Sequence, residues 1–135
     1  MKNLLDPTRA QAKHRNRLWA SALKENKKKA RNVMTDGCGG RCCLAVAQDV
    51  AESCGVTVDK DIADEVPCEA TVNFFGWPNN NPNLFITNKN NSLSATEIND
   101  GYDYEGEHRG LPHSLIAEAV LNTFVHPKTR KNIFK

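Results

Sequence analysis

An apolar run at residues 42–51, Cys-Cys-Leu-Ala-Val-Ala-Gln-Asp-Val-Ala, constrains the fold of this chain more than any other feature. It follows a loop at 37–40 that has glycine at three of four positions and cannot continue a helix. Because the run is apolar on most sides, it predicts a buried helix over about 41–54 that ends at Gly55. The rest of the fold must pack around this segment, the Cys-Cys helix.

Proline, glycine and cap signals predict the other helices. Asp6-Pro7 predicts the start of a helix over about 7–31, and Pro67 predicts another that ends at Gly76. Leu111-Pro112 starts the last clear helix. The first of these helices has an apolar face formed by Leu18, Trp19, Ala22 and Leu23.

Strand signals are confined to the middle of the chain. A short strand is predicted at 56–58, and a hairpin joins a strand at 84–87 to a return that begins at Leu93. Ser94 and Glu97 have the spacing of a capping box, which predicts one short turn of helix. The expected fold is α+β and mostly helical, with about four helices around the buried Cys-Cys helix and one small β-hairpin.

Charge is unevenly distributed along the chain, although its net charge is only +2. Residues 1–31 hold ten basic and two acidic side chains, residues 32–125 hold four basic and fourteen acidic ones, and residues 126–135 hold four basic ones. The basic ends could bind nucleic acid, or they could dock on the acidic body of the same or a neighbouring subunit. We expect a single domain over 1–135, with a basic N-terminal helix at about 7–31, a core at 36–125 and a loose basic tail at 126–135.

The first thirty residues contain no apolar run long enough for a secretory signal or a membrane span, so we expect neither. The chain has five cysteines, an odd number. Without an export signal, this number favours thiols in a reducing cytoplasm over disulfides. We expect no membrane partner.

A zinc site is one interpretation of the cysteines. Cys38 and Cys42 have the spacing of one ligand pair, but Cys54 and Cys68 are isolated and the four histidines include no close pair. The sequence therefore predicts no metal and no cofactor.

A nucleophile is a second interpretation, because Cys42 or Cys43 would lie in the first turn of a helix and His113 is the best candidate base. The structural alternative is a buried stripe of small residues against which another helix packs. We favour the stripe, because free cysteine is among the most buried residue types, and we predict no catalytic residue. Its members are Cys43, Ala47, Val50 and Cys54.

Several polar and aromatic residues are candidates for a ligand site. The turn before the Cys-Cys helix could hold a phosphate through backbone N–H groups and Arg41. Asn99 and Asp100 would either cap helix ends or bind a ribose or base edge. Of the aromatic residues at 74–77, we expect Trp77 nearest the surface. The predicted ligand-binding residues are Gly39, Gly40, Arg41, Trp77, Asn99, Asp100, Tyr102 and His113.

Four motifs occur in one order along the chain: Trp19-x-x-Ala22-Leu23, Cys42-Cys43-Leu44-Ala45-Val46-x-x-Asp49, the segment 67–77, and Ile98-Asn99-Asp100 followed by Ser114-Leu115-Ile116-Ala117. With these motifs, residues 17–125 resemble a family of small tailed-bacteriophage proteins. The chain departs from the family pattern at Arg41, Ala45 and Gln48, which replace an aromatic residue, a glycine and a third cysteine. The resemblance implies a phage protein in the cytoplasm of an infected bacterium, and it implies no reaction.

Small phage proteins without a catalytic signature often act by binding, and some sequester nucleotide signals of bacterial immunity. We therefore expect a homo-oligomer that binds such a signal without cleaving it. Two alternatives stay open. The first is a binder of a host protein or nucleic acid that uses the basic first helix, and the second is an enzyme that cleaves a signalling nucleotide through Cys42 or His113.

Overall fold

The structure, a computed structural model, describes residues 7–25, 42–58, 67–86, 92–100, 111–124, 129, 130, 132 and 133. Within these ranges the elements are, in chain order, α1 (Arg9–Glu25), α2 (Cys43–Ser53), α3 (Glu69–Phe75), β1 (Asn83–Phe85), β2 (Ser92–Ser94), α4 (Ala95–Asp100) and α5 (His113–Asn122). The prediction of a mostly helical α+β fold with one small hairpin is confirmed. No described helix is both long enough and apolar enough to cross a membrane.

Helix α2 is the buried Cys-Cys helix of the prediction, and it contacts α1, α3 and α4, whereas α5 packs mainly against α1. It begins later than residue 41, because Cys42 is extended and its Sγ accepts the N–H of Ala45 at 3.4 Å. It ends at Ser53, and Gly55, the predicted stop, follows the cap residue Cys54 with a φ of 99°. The N–H of Val56 then bonds to the carbonyl of Ala51, so residues 56–58 close the helix end and are not the predicted strand.

The predicted stripe of small residues on α2 is correct for three of its four members. Cys43, Ala47 and Val50 are buried, but Cys54 is exposed. The difference arises because α2 ends at Ser53. Cys54 lies in the following turn, where the helical spacing no longer directs it toward the core.

Helix α1 is part of the core and not a separate basic arm. Its start is set by Thr8: the Thr8 Oγ1 accepts the N–H of Gln11 at 3.1 Å, and the Gln11 Oε1 accepts the N–H of Thr8 at 2.8 Å. This capping box corrects the predicted start at Asp6-Pro7. The predicted apolar face is confirmed, because Trp19 and Leu23 are fully buried.

Among the described residues, one ion pair joins the basic first helix to the acidic body. The Lys24 ammonium lies 3.3 Å from the Glu118 carboxylate on α5, and both side chains are partly exposed. Such pairs contribute at most about 1 kcal/mol. The apolar face of α1, and not its charge, therefore accounts for most of its attachment.

Gly76 ends α3, as predicted, and brings α3 close to α1. Its φ is 70°, in the left-handed region, and its N–H bonds back to the carbonyls of α3. A Cβ at this position would lie 3.3 Å from the Cβ of Ala12. The glycine is therefore needed both for the backbone turn and for the approach of α1.

Replacing Gly76 with alanine is expected to lower the free energy of unfolding by about 1–2 kcal/mol, because an L residue is strained at positive φ. Urea unfolding followed by circular dichroism would measure the loss. The matched control is Asn73→Ala at an exposed position in the same helix, for which a change within about 0.5 kcal/mol is expected. Equal stabilities of Gly76→Ala and the parent protein would contradict the left-handed backbone conformation assigned to Gly76.

The hairpin pairs β1 with β2 in antiparallel register, with Leu84 opposite Leu93. It begins one residue earlier than predicted, and residues 87–91 lie outside the described ranges. The predicted capping box is confirmed: the Glu97 Oε1 accepts the N–H of Ser94 at 3.1 Å, and the Ser94 Oγ accepts the N–H of Glu97 at 3.3 Å. Helix α4 thus starts directly at the end of the hairpin.

Ile133 is docked on the core, although it belongs to a segment for which a loose tail was predicted. Ile133 is 4% exposed and belongs to the hydrophobic core, and its N–H bonds to the carbonyl of Ile86 at 3.0 Å. The prediction was wrong here because one apolar side chain in a basic segment is enough to fill a core position beside β1. We call residues 129–133 the C-terminal segment; residue 131 is outside the described residues.

Candidate functional site

A groove of about 1210 Å³ lies where α1, α3, β1 and α5 meet. Four parts of the chain line it: the start of α1 from residues 7 to 16, residues 73–79 around the end of α3, residues 82–84 at the start of β1, and the end of α5 together with Arg130. The start of α1, residues 73–84 and the end of α5 are far apart in the sequence, so the groove exists only in the folded chain.

All the charged residues among the described lining of this groove are basic: Arg9, Lys13 and Arg130. Arg9 and Lys13 are one helical turn apart on α1 and therefore lie on the same face of the helix. Arg130 comes from the C-terminal segment. A groove lined by cations attracts an anionic ligand.

Asn16 lines the groove and joins α1 to Phe75 and Trp77 through hydrogen bonds of its side chain. Its Nδ2 donates to the carbonyl of Phe75 at 3.0 Å and to that of Ala12 at 2.8 Å, and its Oδ1 accepts the indole N–H of Trp77 at 2.9 Å. The adjacent Arg15 donates to the carbonyl of Phe74 at 3.0 Å. The last carbonyls of α3, which have no partner within the helix, are thus bound by side chains of α1.

The aromatic residues at 74–77 divide between core and surface as predicted. Phe74 and Phe75 are each 1% exposed, whereas Trp77 is half-buried and lines the groove. The Trp77 ring stacks on Phe75, with centroids 4.8 Å apart and planes 13° apart, and its centroid lies 5.0 Å from that of Trp19. With its indole N–H bound to Asn16, Trp77 is held in one orientation.

Of the eight predicted ligand-binding residues, the groove includes Trp77. Asn99 and His113 are buried, at 1% and 3% exposure, and are not among the described lining residues. Helix α4 ends at Asp100, whose side chain is outside the described part of the chain. The remaining predicted residues, Gly39, Gly40, Arg41 and Tyr102, also lie outside the described ranges.

Asn99 has the first of the two roles that its sequence position suggested. Its Oδ1 accepts the N–H of Cys43 at 3.0 Å, which provides a partner for a backbone donor in the first turn of α2. Asn99 therefore joins α4 to α2 as a cap. The N–H of Leu111 donates to the carbonyl of Ile98, the residue before Asn99. This hydrogen bond joins the segment that leads into α5 to helix α4.

The described cysteines, Cys42, Cys43, Cys54 and Cys68, form no disulfide with one another. Cys42 caps α2, and the Sγ of Cys43 donates to the carbonyl of Ala95 at 3.5 Å. The Sγ of Cys68 lies 3.5 Å from the Oγ1 of Thr71. Within the described ranges, no group of three histidine, cysteine or acidic side chains is close enough to hold a metal ion.

Sequence reasoning missed the groove residues other than Trp77, among them the cations Arg9, Lys13 and Arg130 and the buried Asn16. A signal for Asn16 was present, because it shares the spacing of the apolar face with Ala12, Trp19 and Leu23. A polar residue at such a position must be hydrogen-bonded when it is buried. Nothing local distinguishes Arg9, Lys13 and Arg130 from the other basic residues of the chain.

No protein family matches this chain, and no match was found among curated proteins or among solved structures. The resemblance to tailed-phage proteins accordingly stays a prediction.

Proposed function

We propose that this protein is a phage protein that binds a nucleotide-type signal of bacterial immunity in the groove and sequesters it without cleaving it. It would act in the cytoplasm of the infected bacterium. One observation carries the proposal: the charged side chains of the described lining, Arg9, Lys13 and Arg130, are all basic, and they share the groove with an aromatic ring. Phosphate and a planar base are the two chemical parts of a nucleotide.

The phosphate would bind the cations of the groove. Arginine and lysine donate charge-assisted hydrogen bonds to phosphate oxygens, and these bonds are stronger than neutral ones. This assignment differs from the turn at 37–41, which was the sequence-based candidate. That turn lies outside the described residues, whereas the side chains of Arg9 and Lys13 line the groove.

The base would bind the amide and aromatic groups. Asn73, Asn79 and Asn83 line the groove and are exposed to solvent, and an asparagine side chain can pair with adenine through both its oxygen and its nitrogen. Trp77 adds an aromatic ring whose orientation is set by Asn16 and Phe75. A few fixed polar groups beside apolar surface are typical of a small-molecule site.

Binding without cleavage is supported by what the described lining contains. It includes no histidine, cysteine, aspartate or glutamate, the side chains that most often act as general acids, bases or nucleophiles. Cys42 and His113, the candidates for an enzyme, are buried and do not line the groove among the described residues. The homo-oligomer expected from the sequence stays part of the proposal, although the groove itself is formed by one subunit; light scattering would measure it.

Titration calorimetry with adenine and guanine nucleotides tests the proposal. The double substitution Arg9→Gln and Lys13→Gln is expected to weaken binding by about 10–100-fold, because charge-assisted hydrogen bonds are lost. The control Arg17→Gln removes an exposed charge one turn further along α1, outside the described lining, and is expected to change affinity less than about threefold. Heat release of the bound nucleotide should return it intact. Absence of binding, or recovery of cleaved products, would refute the proposal.

A nucleic-acid binder is the second candidate. Arg9, Lys13 and Arg17 recur at a spacing of four on α1, which is a basic ridge along one helical face. Binding of a long polyanion through such a ridge falls steeply as salt rises. Affinity for an oligonucleotide that exceeds the affinity for nucleotides, with a steep salt dependence and an equal loss in Arg17→Gln, would favour this candidate.

A further inference from the structure

We infer that the ligand of this groove carries two phosphate groups, one bound by Arg9 and Lys13 on α1 and the other by Arg130 in the C-terminal segment. The inference rests on the proposed function and names its ligand class: a dinucleotide, or a nucleotide with a diphosphate linkage. It depends on how Arg130 is held, on where the three cations come from, and on the size of the groove.

Arg130 is held in position before any ligand binds. Its Cζ lies 3.6 Å from the centroid of the Phe85 ring, and its Nε donates to the carbonyl of Asn122 at 3.1 Å. The side chain of Asn122 in turn donates to the carbonyl of Phe85 at 2.9 Å. The guanidinium is therefore fixed between the end of α5 and β1.

This arrangement suits the recognition of a phosphate. The contact with Asn122 uses the Nε, so the Nη1 and Nη2 groups are the ones that would donate to two phosphate oxygens. Stacking on an aromatic ring is a geometry that arginine tolerates and lysine does not reproduce. Because the side chain is already ordered, less conformational entropy is lost when a ligand binds.

The C-terminal segment keeps Arg130 at the groove. The N–H of Ile133 bonds to the carbonyl of Ile86 just after β1, and the Ile133 side chain is buried in the core. Phe85 and Ile86 thus hold the segment at two points, one on each side of residue 131. Arg130 is consequently a fixed part of the groove wall.

The cations form two groups on different elements. Arg9 and Lys13 are about 6 Å apart along the axis of α1, as the helical rise requires. Arg130 belongs to a different part of the fold, beside Phe85 and Asn122. We assign the second phosphate to Arg130 because this cation belongs to a different element from the α1 pair and lines the same groove.

The size of the groove agrees with a ligand larger than a mononucleotide. Pockets for drug-sized ligands have volumes of roughly 300–1,000 Å³. The groove, at about 1210 Å³, exceeds that range. It has room for a second nucleoside or for a diphosphate-linked sugar.

Calorimetric titration of the full chain with three probes tests the inference: AMP, ADP-ribose and cyclic di-AMP. We expect at least one of the two-phosphate probes to bind about tenfold or more tightly than AMP. Arg130→Gln is expected to remove most of that advantage, because it should weaken the binding of the two-phosphate probes more than it weakens the binding of AMP. Arg130→Lys retains the positive charge but not the planar guanidinium with its paired N–H donors. This variant should therefore keep only part of the higher affinity for the two-phosphate probes.

Phe85→Leu removes the aromatic ring under Arg130 but leaves the charge of Arg130 in place. It should reduce the preference for the two-phosphate probes over AMP. Thermal unfolding of each variant confirms that the C-terminal segment remains docked, and Arg17→Gln serves as the charge control. If AMP binds as tightly as both other probes, or if Arg130→Gln weakens all three equally, the two-phosphate inference is overturned and the proposed function stands. If none of the probes and no other nucleotide binds, the proposed function itself fails.

Discussion

Replacing Trp19 with alanine is expected to lower the free energy of unfolding by about 3–5 kcal/mol, the range for removal of a large buried aromatic side chain. Trp19 is fully buried, and its ring lies against Phe75 and Trp77 at centroid distances of 6.0 and 5.0 Å. Its indole N–H also donates to the carbonyl of Cys43 at 2.8 Å. The substitution therefore removes one contact of α1 with α2 and one with the aromatic residues at the end of α3.

Because domains are typically stable by only about 5–15 kcal/mol, a loss of this size would leave a measurable unfolded fraction in mild urea. Far-ultraviolet circular dichroism during urea unfolding is the appropriate measurement, since the substitution removes a fluorophore. Leu18→Ala is the control, because Leu18 is adjacent but only partly buried, and less than about 2 kcal/mol is expected. A smaller loss for Trp19→Ala than for Leu18→Ala would contradict the assigned core.

Replacing Asn16 with leucine is expected to lower the free energy of unfolding by about 2–4 kcal/mol. Asn16 is 2% exposed and bonds to the carbonyl of Phe75 and the indole N–H of Trp77. Leucine leaves both groups without this partner, and each buried polar group that loses its hydrogen bond costs about 1–3 kcal/mol. The Trp77 ring should also lose its fixed orientation.

Two measurements follow the Asn16→Leu substitution: urea unfolding, and the affinity of the groove for the nucleotide that the parent protein binds most tightly. Affinity is expected to fall together with stability, because Asn16 positions Trp77 at the groove. The control Arg17→Leu changes the adjacent exposed residue and should affect stability by no more than about 0.5 kcal/mol. A parent-like stability of Asn16→Leu would show that the hydrogen bonds of Asn16 contribute little.

The elements that were predicted well are those whose signals are local. Ser94 and Glu97 satisfy each other's backbone N–H groups across three residues, so their pattern alone was sufficient to predict α4. The role of Gly76 was also predicted from the sequence, because the left-handed backbone conformation that ends many helices favours glycine. The start of α1 was missed by two residues, since Thr8 and Gln11 offered the same pattern as a competitor to Asp6-Pro7.

The candidate site was predicted less well, because its residues are brought together by packing. Trp77 was placed correctly, since a tryptophan beside a glycine and before a proline is expected near the surface. Asn99 was predicted either to cap a helix or to bind a ligand. The structure distinguishes these roles, because Asn99 accepts the N–H of Cys43, a residue 56 positions away in the sequence. Arg130 lay in a segment whose basic composition predicted a loose tail.

The sequence by itself determined the class of fold and its centre: a mostly helical chain around the Cys-Cys helix, with a capping box and a glycine at the helix ends. These features follow from periodicity and from hydrogen bonds between residues a few positions apart. Only the tertiary structure decided that Arg9, Lys13 and Arg130 share one groove with Trp77. The reason is physical, because a groove forms where distant segments bury their apolar sides against each other and leave their polar sides facing a common space.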